Sequence, residues 1–408
     1  MGELSTILVS VHGPDQPGIT AGLMGVLTDS GALIYDVEQI VVRGRLTLNI
    51  LIGVVGKRPT IRDLLFFGWT EGLHLEFDVV DDKATPEKTM SVVTVIGVTV
   101  GPDDFGAVAS AIAAGGGNIE RIYRLSRYPV VGYELAVSDG DIDVIRGILV
   151  DAVESRPIDV AIQPDGLERR ATRMVVMDVD STLIENEVID LLADEAGVGA
   201  QVAVITAAAM AGEIDFEQSL RQRLKLLEGL DEDALARVSK RITMTKGART
   251  FVRTLKRLGL VTVIVSAGFT RFTDDLAAEL GIDYSLSNTL DIKEGRLTGT
   301  ITGALVDGPR KAQFLEEVAE TEKIPLGQVV AVGDGANDLD MLAAAGLGIA
   351  FNANPVVQAN TDTALSVPFL DAILFLMGLR REHVEAADAA DSDFNQTPLI
   401  DVPGTPPV

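Results

Sequence analysis

The sequence predicts an α/β protein in three parts: two small strand–helix–strand–strand–helix–strand units, then a larger parallel sheet with an inserted helical segment. Three observations predict this. A Gly-Pro-Asp element recurs at Gly13 and Gly101, 88 positions apart, each time between an apolar strand pattern and an apolar helical pattern. Short apolar runs at Met174–Met177, Leu260–Val265 and Val329–Val332 end abruptly in polar residues, as strands buried on both faces do. Residues 185 to 252 lie between the first two runs. They are rich in helix formers, with Leu220, Leu224, Leu227 and Leu230 at helical spacing.

Taken in chain order, the repeat comes first. Val9-Ser10-Val11-His12-Gly13-Pro14-Asp15-Gln16-Pro17-Gly18 aligns with Ile96 to Gly106. Apolar helical patterns follow at Ile19–Leu27 and Val108–Ala114. Each copy then re-enters a strand, through Gly31–Ile34 and Gly117–Ile119. Each unit is therefore expected to be ferredoxin-like, over residues 1–84 and 88–164. Thr85-Pro86-Glu87-Lys88 reads as the linker between them, and Pro164-Asp165-Gly166 opens the next one. The larger unit is expected over 170–380, with the helical cap at about 185–252. A hairpin is expected near Ser287–Thr302, where Ile292-Lys293-Glu294-Gly295-Arg296-Leu297 has hairpin-turn chemistry. From Arg381 the chain is acidic, then proline-rich, so 381–408 is expected to be a mobile tail.

Composition bounds the function. A chain of 408 residues with 47% hydrophobic residues supports two to four domains with sizeable cores. It has no cysteine, so disulfides, thiolate metal sites and a cysteine nucleophile are excluded. Its three histidines are scattered and show no metal spacing. A net charge of −26 opposes nucleic-acid binding. No signal peptide and no membrane-length apolar run is evident, so a cytoplasmic protein without membrane contact is expected.

The chemistry concentrates where the apolar runs end. Asp178-Val179-Asp180-Ser181-Thr182 places two carboxylates one residue apart at a strand's carboxyl end, the edge where open α/β sheets bind ligands. Such spacing lets one carboxylate act as nucleophile and metal ligand and the other as acid/base. A calcium loop is excluded, because Leu183 stands where its glycine belongs and Ile189 where its glutamate belongs. Ser266-Ala267-Gly268 offers a hydroxyl and backbone N–H groups at a second strand end, an oxyanion cradle. Lys311 opens a helical pattern after Pro309-Arg310. A cation there opposes the helix dipole and so serves a fixed anion. Gly333-Asp334-Gly335-Ala336-Asn337-Asp338 adds carboxylates and closely approachable backbone. It is not a dinucleotide loop, since Asp338 replaces the last glycine. Asp178-Val179-Asp180 alone would also suit a solvated strand-end turn.

In this order the four segments resemble the haloacid dehalogenase (HAD) phosphohydrolase superfamily, over about Arg173 to Pro368. The resemblance implies a Rossmann-like parallel sheet with an inserted helical cap. Within that superfamily the stretch from Asp178 to Glu187, then Ile205–Gly212 and Phe216–Arg223, is similar to the phosphoserine phosphatases. Ala267 departs from the second glycine of many relatives, though its N–H is retained. The resemblance implies that Asp178 is the nucleophile and Asp180 the general acid/base. It implies Mg²⁺ held by Asp178, Asp334 and the Asp180 carbonyl. Ser266, Lys311, Gly268 and Asn337 would hold the phosphoryl group, and Asp338 would orient Lys311 or a metal-bound water. In the cap, Glu187 would meet the substrate ammonium and Arg223 its carboxylate, under a lid of Met210 and Phe216. Without the matched spacing, Glu187 and Arg223 would read as surface charge and Met210 and Phe216 as cap core.

Each small unit resembles an ACT domain, an amino-acid-sensing module. Pro17-Gly18 and Phe105-Gly106 would each make a tight turn before a helix N-terminus, a place for an amino-acid carboxylate. Asp15 and Asp104 would meet its ammonium, with Asn118 adding a polar contact. The implied partners are O-phospho-L-serine as substrate, L-serine as regulatory ligand and a second copy of the chain in a homodimer. Two other readings stay open: a phosphatase or phosphomutase acting on another small phosphomonoester, and an amino-acid-sensing protein with an inactive HAD domain. The ACT units could also be a dimerisation scaffold without a ligand.

Overall fold

The computed structural model describes residues 4–55, 57–80, 88–210, 213–361 and 363–391. The side chains of Leu4, Glu168, Arg170 and Met210 lie outside that description. The chain divides into two compact units, Met1–Glu87 and Lys88–Val408.

The first unit runs β1 (Leu4–Pro14), α1 (Ile19–Asp29), β2 (Leu33–Val42), β3 (Arg45–Val55), α2 (Lys57–Glu71) and β4 (His74–Val80). Its antiparallel sheet has the order β2-β3-β1-β4. Alternation along β3 buries Leu46, Leu48, Ile50 and Ile52 in one core with Leu23 and Leu27 of α1 and Leu64 of α2. The edge strand β2 buries almost nothing, and Leu33 is 56% and Val42 62% exposed.

The second unit opens with β5 (Met90–Gly97), α3 (Pro102–Ala114), β6 (Asn118–Ser126), β7 (Val131–Ser138), α4 (Ile142–Val153) and β8 (Ile158–Pro164). The sheet order β6-β7-β5-β8 repeats that of the first copy. This copy shares a core with the large parallel-sheet domain. Ile96, Leu125, Val130 and Ala161 lie in the same buried cluster as that domain's central residues. The Asp159 carboxylate accepts from the Ser366 N–H at 2.8 Å, and Arg169 pairs with Glu134 at 2.6 Å.

After a short α5 (Leu167–Arg170), β9 (Met174–Met177) enters the centre of a seven-stranded sheet of order β12-β11-β10-β9-β13-β14-β15. The cap helices α6 (Val188–Ala196), α7 (Gly199–Met210), α8 (Phe216–Leu226) and α9 (Asp233–Ser239) follow, then α10 (Ala248–Arg257) and β10 (Val261–Phe269). Next come α11 (Thr270–Leu280) and the hairpin of β11 (Tyr284–Lys293) with β12 (Arg296–Thr302), turning at Glu294 and Gly295, both with positive φ. The chain continues through α12 (Gly308–Glu322), β13 (Val329–Gly333), α13 (Leu339–Ala344), β14 (Leu347–Phe351), α14 (Pro355–Gln358), β15 (Thr363–Leu365), α15 (Ile373–Leu376) and α16 (Arg381–Ala390). Strands β10, β9 and β13 are adjacent and parallel, so the three polar segments at their carboxyl ends converge on one edge.

Two sequence expectations need correction. The cap ends near Met244, not at 252. Ile184 and Met244 bridge as the two stalks of the cap, and α10 beyond them buries Phe251, Val252 and Leu255 in the large core, in contact with β10. The supposed mobile tail begins as a docked helix. In α16, Asp388 is 8% exposed and pairs with Arg253 at 2.8 Å and with Arg257, while Arg381 pairs with Asp371. The acidic composition that suggested disorder is matched by arginines of α10. Residues 392–408 lie outside the described residues, as do 81–84 of the expected first copy and 85–87 of the expected linker. Among the described residues no helix is long and apolar enough to cross a membrane.

Candidate active site

The site starts from β9. Four residues buried on all sides, Met174 to Met177, carry the chain to Asp178 at the sheet edge. The chain then turns sharply, with Ser181 in a left-handed conformation (φ 58°) that few non-glycine residues adopt. The turn holds Asp178 and Asp180 together over the edge. Asp178 is 6% exposed. It accepts from Lys311 Nζ at 2.7 Å, and the same ammonium donates to Asp338 Oδ1 at 2.7 Å. Lys311 sits in the first turn of α12, whose N-cap is Asp307. Asp338 Oδ2 accepts from the N–H groups of Asp334 and Gly335 at 3.2 and 3.0 Å. Gly333 and Gly335 owe their identity to space, since neither has positive φ. A Cβ on Gly333 would lie 2.4 Å from the Asp338 carboxyl, and one on Gly335 would lie 2.2 Å from Asn337.

Burial sets the electrostatics. It raises Asp178 well above the usual carboxylate range, with Asp338 adding to the rise and Lys311 opposing it. Burial pushes Asp334 up to about 7, against the Thr182 hydroxyl that donates to it at 2.7 Å. Asp180 is pushed up to about 8, by burial first and by the facing Glu187 second. Its Oδ2 accepts from the Val188 N–H at 3.2 Å, and its Oδ1 is buried without a partner. Burial alone would lower Lys311, but the facing carboxylates Asp178 and Asp338 raise it. Oxygens of Asp178, Asp334 and Asp338 lie within 4.8 Å of one another, a group that could hold a metal ion.

The second strand end supplies Ser266, 1% exposed. The pairing of β10 with β11 breaks between Val265 and Phe269, so Ser266-Ala267-Gly268 leaves the ladder. The Gly268 N–H donates to Ser266 Oγ at 2.8 Å, and Asn288 Nδ2 takes the Ala267 carbonyl at 2.8 Å.

The cap closes the cavity, which has a volume of about 150 Å³. Its lining joins Asp178, Asp180, Ser266, Gly268, Asp334 and Asn337 to Glu187, Phe216 and Arg223. Leu220 and Leu224 are buried on the inner face of α8, which leaves Arg223 half-buried beside the cavity. No hydrogen bond or ion pair among the described residues holds Arg223, and its Nε is buried without a partner. Burial lowers its pKa, while the charges of Glu187, Asp190 and Asp180 oppose that. Glu187 is the N-cap residue of α6 and accepts from the Ser181 hydroxyl at 2.7 Å.

Known proteins match this arrangement along the whole chain. The profile of haloacid dehalogenase-like hydrolases matches residues 175–343, and ACT-domain profiles match 5–78 and 89–163. A phosphoserine phosphatase of Streptomyces coelicolor is 46% identical, over 99% of this chain and 98% of its own. The phosphoserine phosphatase SerB2 of Mycobacterium tuberculosis is 43% identical, over 95% of this chain and 96% of its own. The chain belongs to the phosphoserine phosphatase family. A crystal structure of a probable phosphoserine phosphatase from Vibrio cholerae, in unliganded form, superposes with a TM-score of 0.55 at 34% identity. It covers 74% of this chain and 89% of its own.

In this family member, the residues expected at the catalytic edge and in the cap line one cavity or bond directly to residues that do. Met210 ends α7, and its side chain lies outside the described residues. The expected regulatory residues fare unequally. Gly18 has φ 98° and immediately precedes α1, with Asp15 exposed nearby, as expected for a tight turn. In the second copy α3 begins at Pro102, so Gly106 is inside the helix and makes no turn. Asp104 is not free for an ammonium: it caps the Gly101 N–H at 2.9 Å and pairs with Arg156 at 3.1 Å. Pro102 at the first helical position starts that helix early, and Asp104 completes its cap. Asn118 donates to Glu120 at 3.1 Å. Sequence reasoning assigns no role to Ser181, Thr182 or Asn288. For Asn288 the available signal is an amide in the middle of an otherwise strand-like run.

Proposed function

We propose that this chain hydrolyses O-phospho-L-serine to L-serine and phosphate, the last step of serine formation, with Mg²⁺ and a phosphorylated Asp178 as intermediate. The observation that carries the reading is Arg223. A half-buried guanidinium whose buried Nε has no protein partner, in one cavity with Glu187, suits a ligand with both a carboxylate and an ammonium beyond its phosphate. Phosphoserine has both groups, and the relatives bear its name. A sugar phosphate or a mutase substrate would leave the pair unused. An inactive binding protein would have no need of the full set Asp178, Asp180, Ser266, Lys311 and Asp334.

The acidic floor fits a divalent cation. Asp178 and Asp334 are both raised by burial, and Lys311 is already shared with Asp338. Asp338 has both oxygens engaged, which supports its role in orienting Lys311 rather than a metal-bound water. Asp178, Asp334 and the Asp180 carbonyl would hold Mg²⁺, which neutralises the phosphate dianion for an anionic nucleophile. Asp178 attacks phosphorus, and the bond to the serine oxygen breaks. Asp180, whose raised pKa favours its acid form, protonates that oxygen. It then takes a proton from the water that releases phosphate from Asp178. Ser266, Lys311, the Gly268 N–H and Asn337 hold the phosphoryl oxygens, and Phe216 of the cavity lining excludes water.

Phosphate release over phosphoserine, phosphoethanolamine and sugar phosphates, with Mg²⁺ or a chelator, tests the reading. Phosphoserine should be strongly preferred and the chelator should abolish turnover. A preference for sugar phosphates overturns it. Regulation by L-serine and a homodimer through the ACT domains, in a cytoplasmic enzyme, belong to the same proposal. The exposed apolar edge β2 supports pairing with a second copy. The Asp15–Gly18 turn supports an amino-acid site in the first copy only. Sedimentation should give a dimer, and calorimetry on full-length Arg223→Ala should still show serine binding. A monomer that binds no serine refutes both.

A further inference from the structure

Asn288 lies outside the cavity lining and is 1% exposed, in the middle of β11. A buried amide needs partners for both ends of its head group. Its Nδ2 donates to the Ala267 carbonyl at 2.8 Å, and its Oδ1 accepts from the Val306 N–H at 2.9 Å. Those two partners belong to the two arms that carry Ser266 and Lys311. The Ala267 peptide sits between Ser266 and Gly268, in the segment that has left the strand ladder. With no ladder partner there, the side chain of Asn288 takes its carbonyl. Val306 precedes Asp307, the N-cap of α12, and Lys311 follows in that helix's first turn. One amide therefore spans from the Ser266 arm to the Lys311 arm.

We infer that Asn288 is a positioning residue that fixes the spacing between Ser266 and Lys311, and hence the fit of the cavity to a phosphoryl group. The inference rests on the proposed phosphatase reading, in which those two residues hold the phosphoryl oxygens. The donor and acceptor ends do separate work: the donor aims the Ser266–Gly268 turn, and the acceptor anchors the entry to α12. Groups held at one remove in this way commonly govern affinity without touching the ligand. The amino-acid end of the cavity, at Glu187 and Arg223, belongs to the cap and should not depend on Asn288.

The test uses the full chain with Mg²⁺ and two competitive inhibitors, inorganic phosphate and L-serine. Asn288→Leu keeps the number and branching of the side-chain heavy atoms and removes both hydrogen bonds. Its inhibition constant for phosphate should rise, and its kcat fall, by roughly 10–100-fold, while competitive inhibition by L-serine stays near wild type. Unchanged phosphate inhibition, or equal loss for both inhibitors, overturns the inference. If that variant does not fold, Asn288→Asp decides. Its carboxyl can donate to Ala267 only when protonated, so its activity relative to wild type should rise as pH falls. A ratio independent of pH overturns the inference. If wild type does not hydrolyse phosphoserine, the substrate reading fails separately. Calorimetric phosphate binding by wild type and Asn288→Leu then still decides the role of Asn288.

Discussion

On the floor of the cavity Lys311 bonds two carboxylates and Asp334 accepts a threonine hydroxyl, whereas on the roof Arg223 has no bond to any described residue. The difference separates two tasks. Groups that act on the phosphoryl centre must be held rigidly before substrate arrives, because preorganised dipoles lose nothing to rearrangement during the reaction. Groups that recognise the rest of the substrate are better left open, since a satisfied Arg223 would have to break a contact before making one. Unpaired burial of a cation is costly in the empty enzyme, and substrate relieves that cost.

The sharpest way to break the comparison is at the floor. Asp178→Asn should lower kcat by at least about four orders of magnitude, since the amide cannot form the phosphorylated intermediate. The fold should survive, because the amide oxygen can still accept from Lys311 and the change removes a buried charge that faces Asp338. Near-normal phosphate release by folded Asp178→Asn would remove the nucleophile assignment. Asp180→Asn, losing acid/base work alone, should cost roughly 10²–10⁴-fold in kcat. Comparable rates for the two variants would place both residues in one role.

The roof should respond selectively. Arg223→Ala would remove the proposed two-pronged contact, worth about 2–5 kcal/mol when one side is truncated, or roughly 1.5–3.5 decades in kcat/KM for phosphoserine. Phosphoethanolamine, which lacks the carboxylate, should be nearly unaffected. Equal losses on both substrates would make Arg223 structural, and the division between floor and roof would fail.

Much of this is legible in the sequence because the floor uses short local patterns at strand ends. Asp178, Ser266, Lys311 and Asp334 each follow an apolar run or open a helix, so local periodicity locates them. The repeat is legible for the same reason, as its Gly-Pro-Asp turns keep their spacing. The features that escape depend on distant pairing. Nothing near Asp388 in the chain says that Arg253 and Arg257 neutralise it, so an acidic helix reads as a tail. Likewise the cap's end is fixed by the bridge of Ile184 to Met244, not by any break in helical spacing. In the second ACT copy, Asp104 closes a cap with Gly101 and meets Arg156, a partner 52 residues away. A carboxylate expected to meet a ligand therefore serves the start of its own helix.

The smallest expected effect probes the seam between floor and roof. Ser181 belongs to the floor by sequence, two residues after Val179 and one before Thr182. Its hydroxyl nevertheless donates to Glu187 of the roof at 2.7 Å. Its backbone, held at φ 58°, shapes the turn whatever the side chain is. Ser181→Ala should keep that turn and lose only the tether on an exposed carboxylate. A single hydrogen bond of this kind is worth about 1 kcal/mol, so KM for phosphoserine should rise roughly fivefold with kcat nearly unchanged. Phosphoethanolamine should show a similar rise, because it keeps the ammonium that Glu187 meets, in contrast to its indifference to Arg223→Ala. A fall in kcat without a change in KM would instead assign Ser181 to the floor and move the seam along the chain, to Glu187 itself.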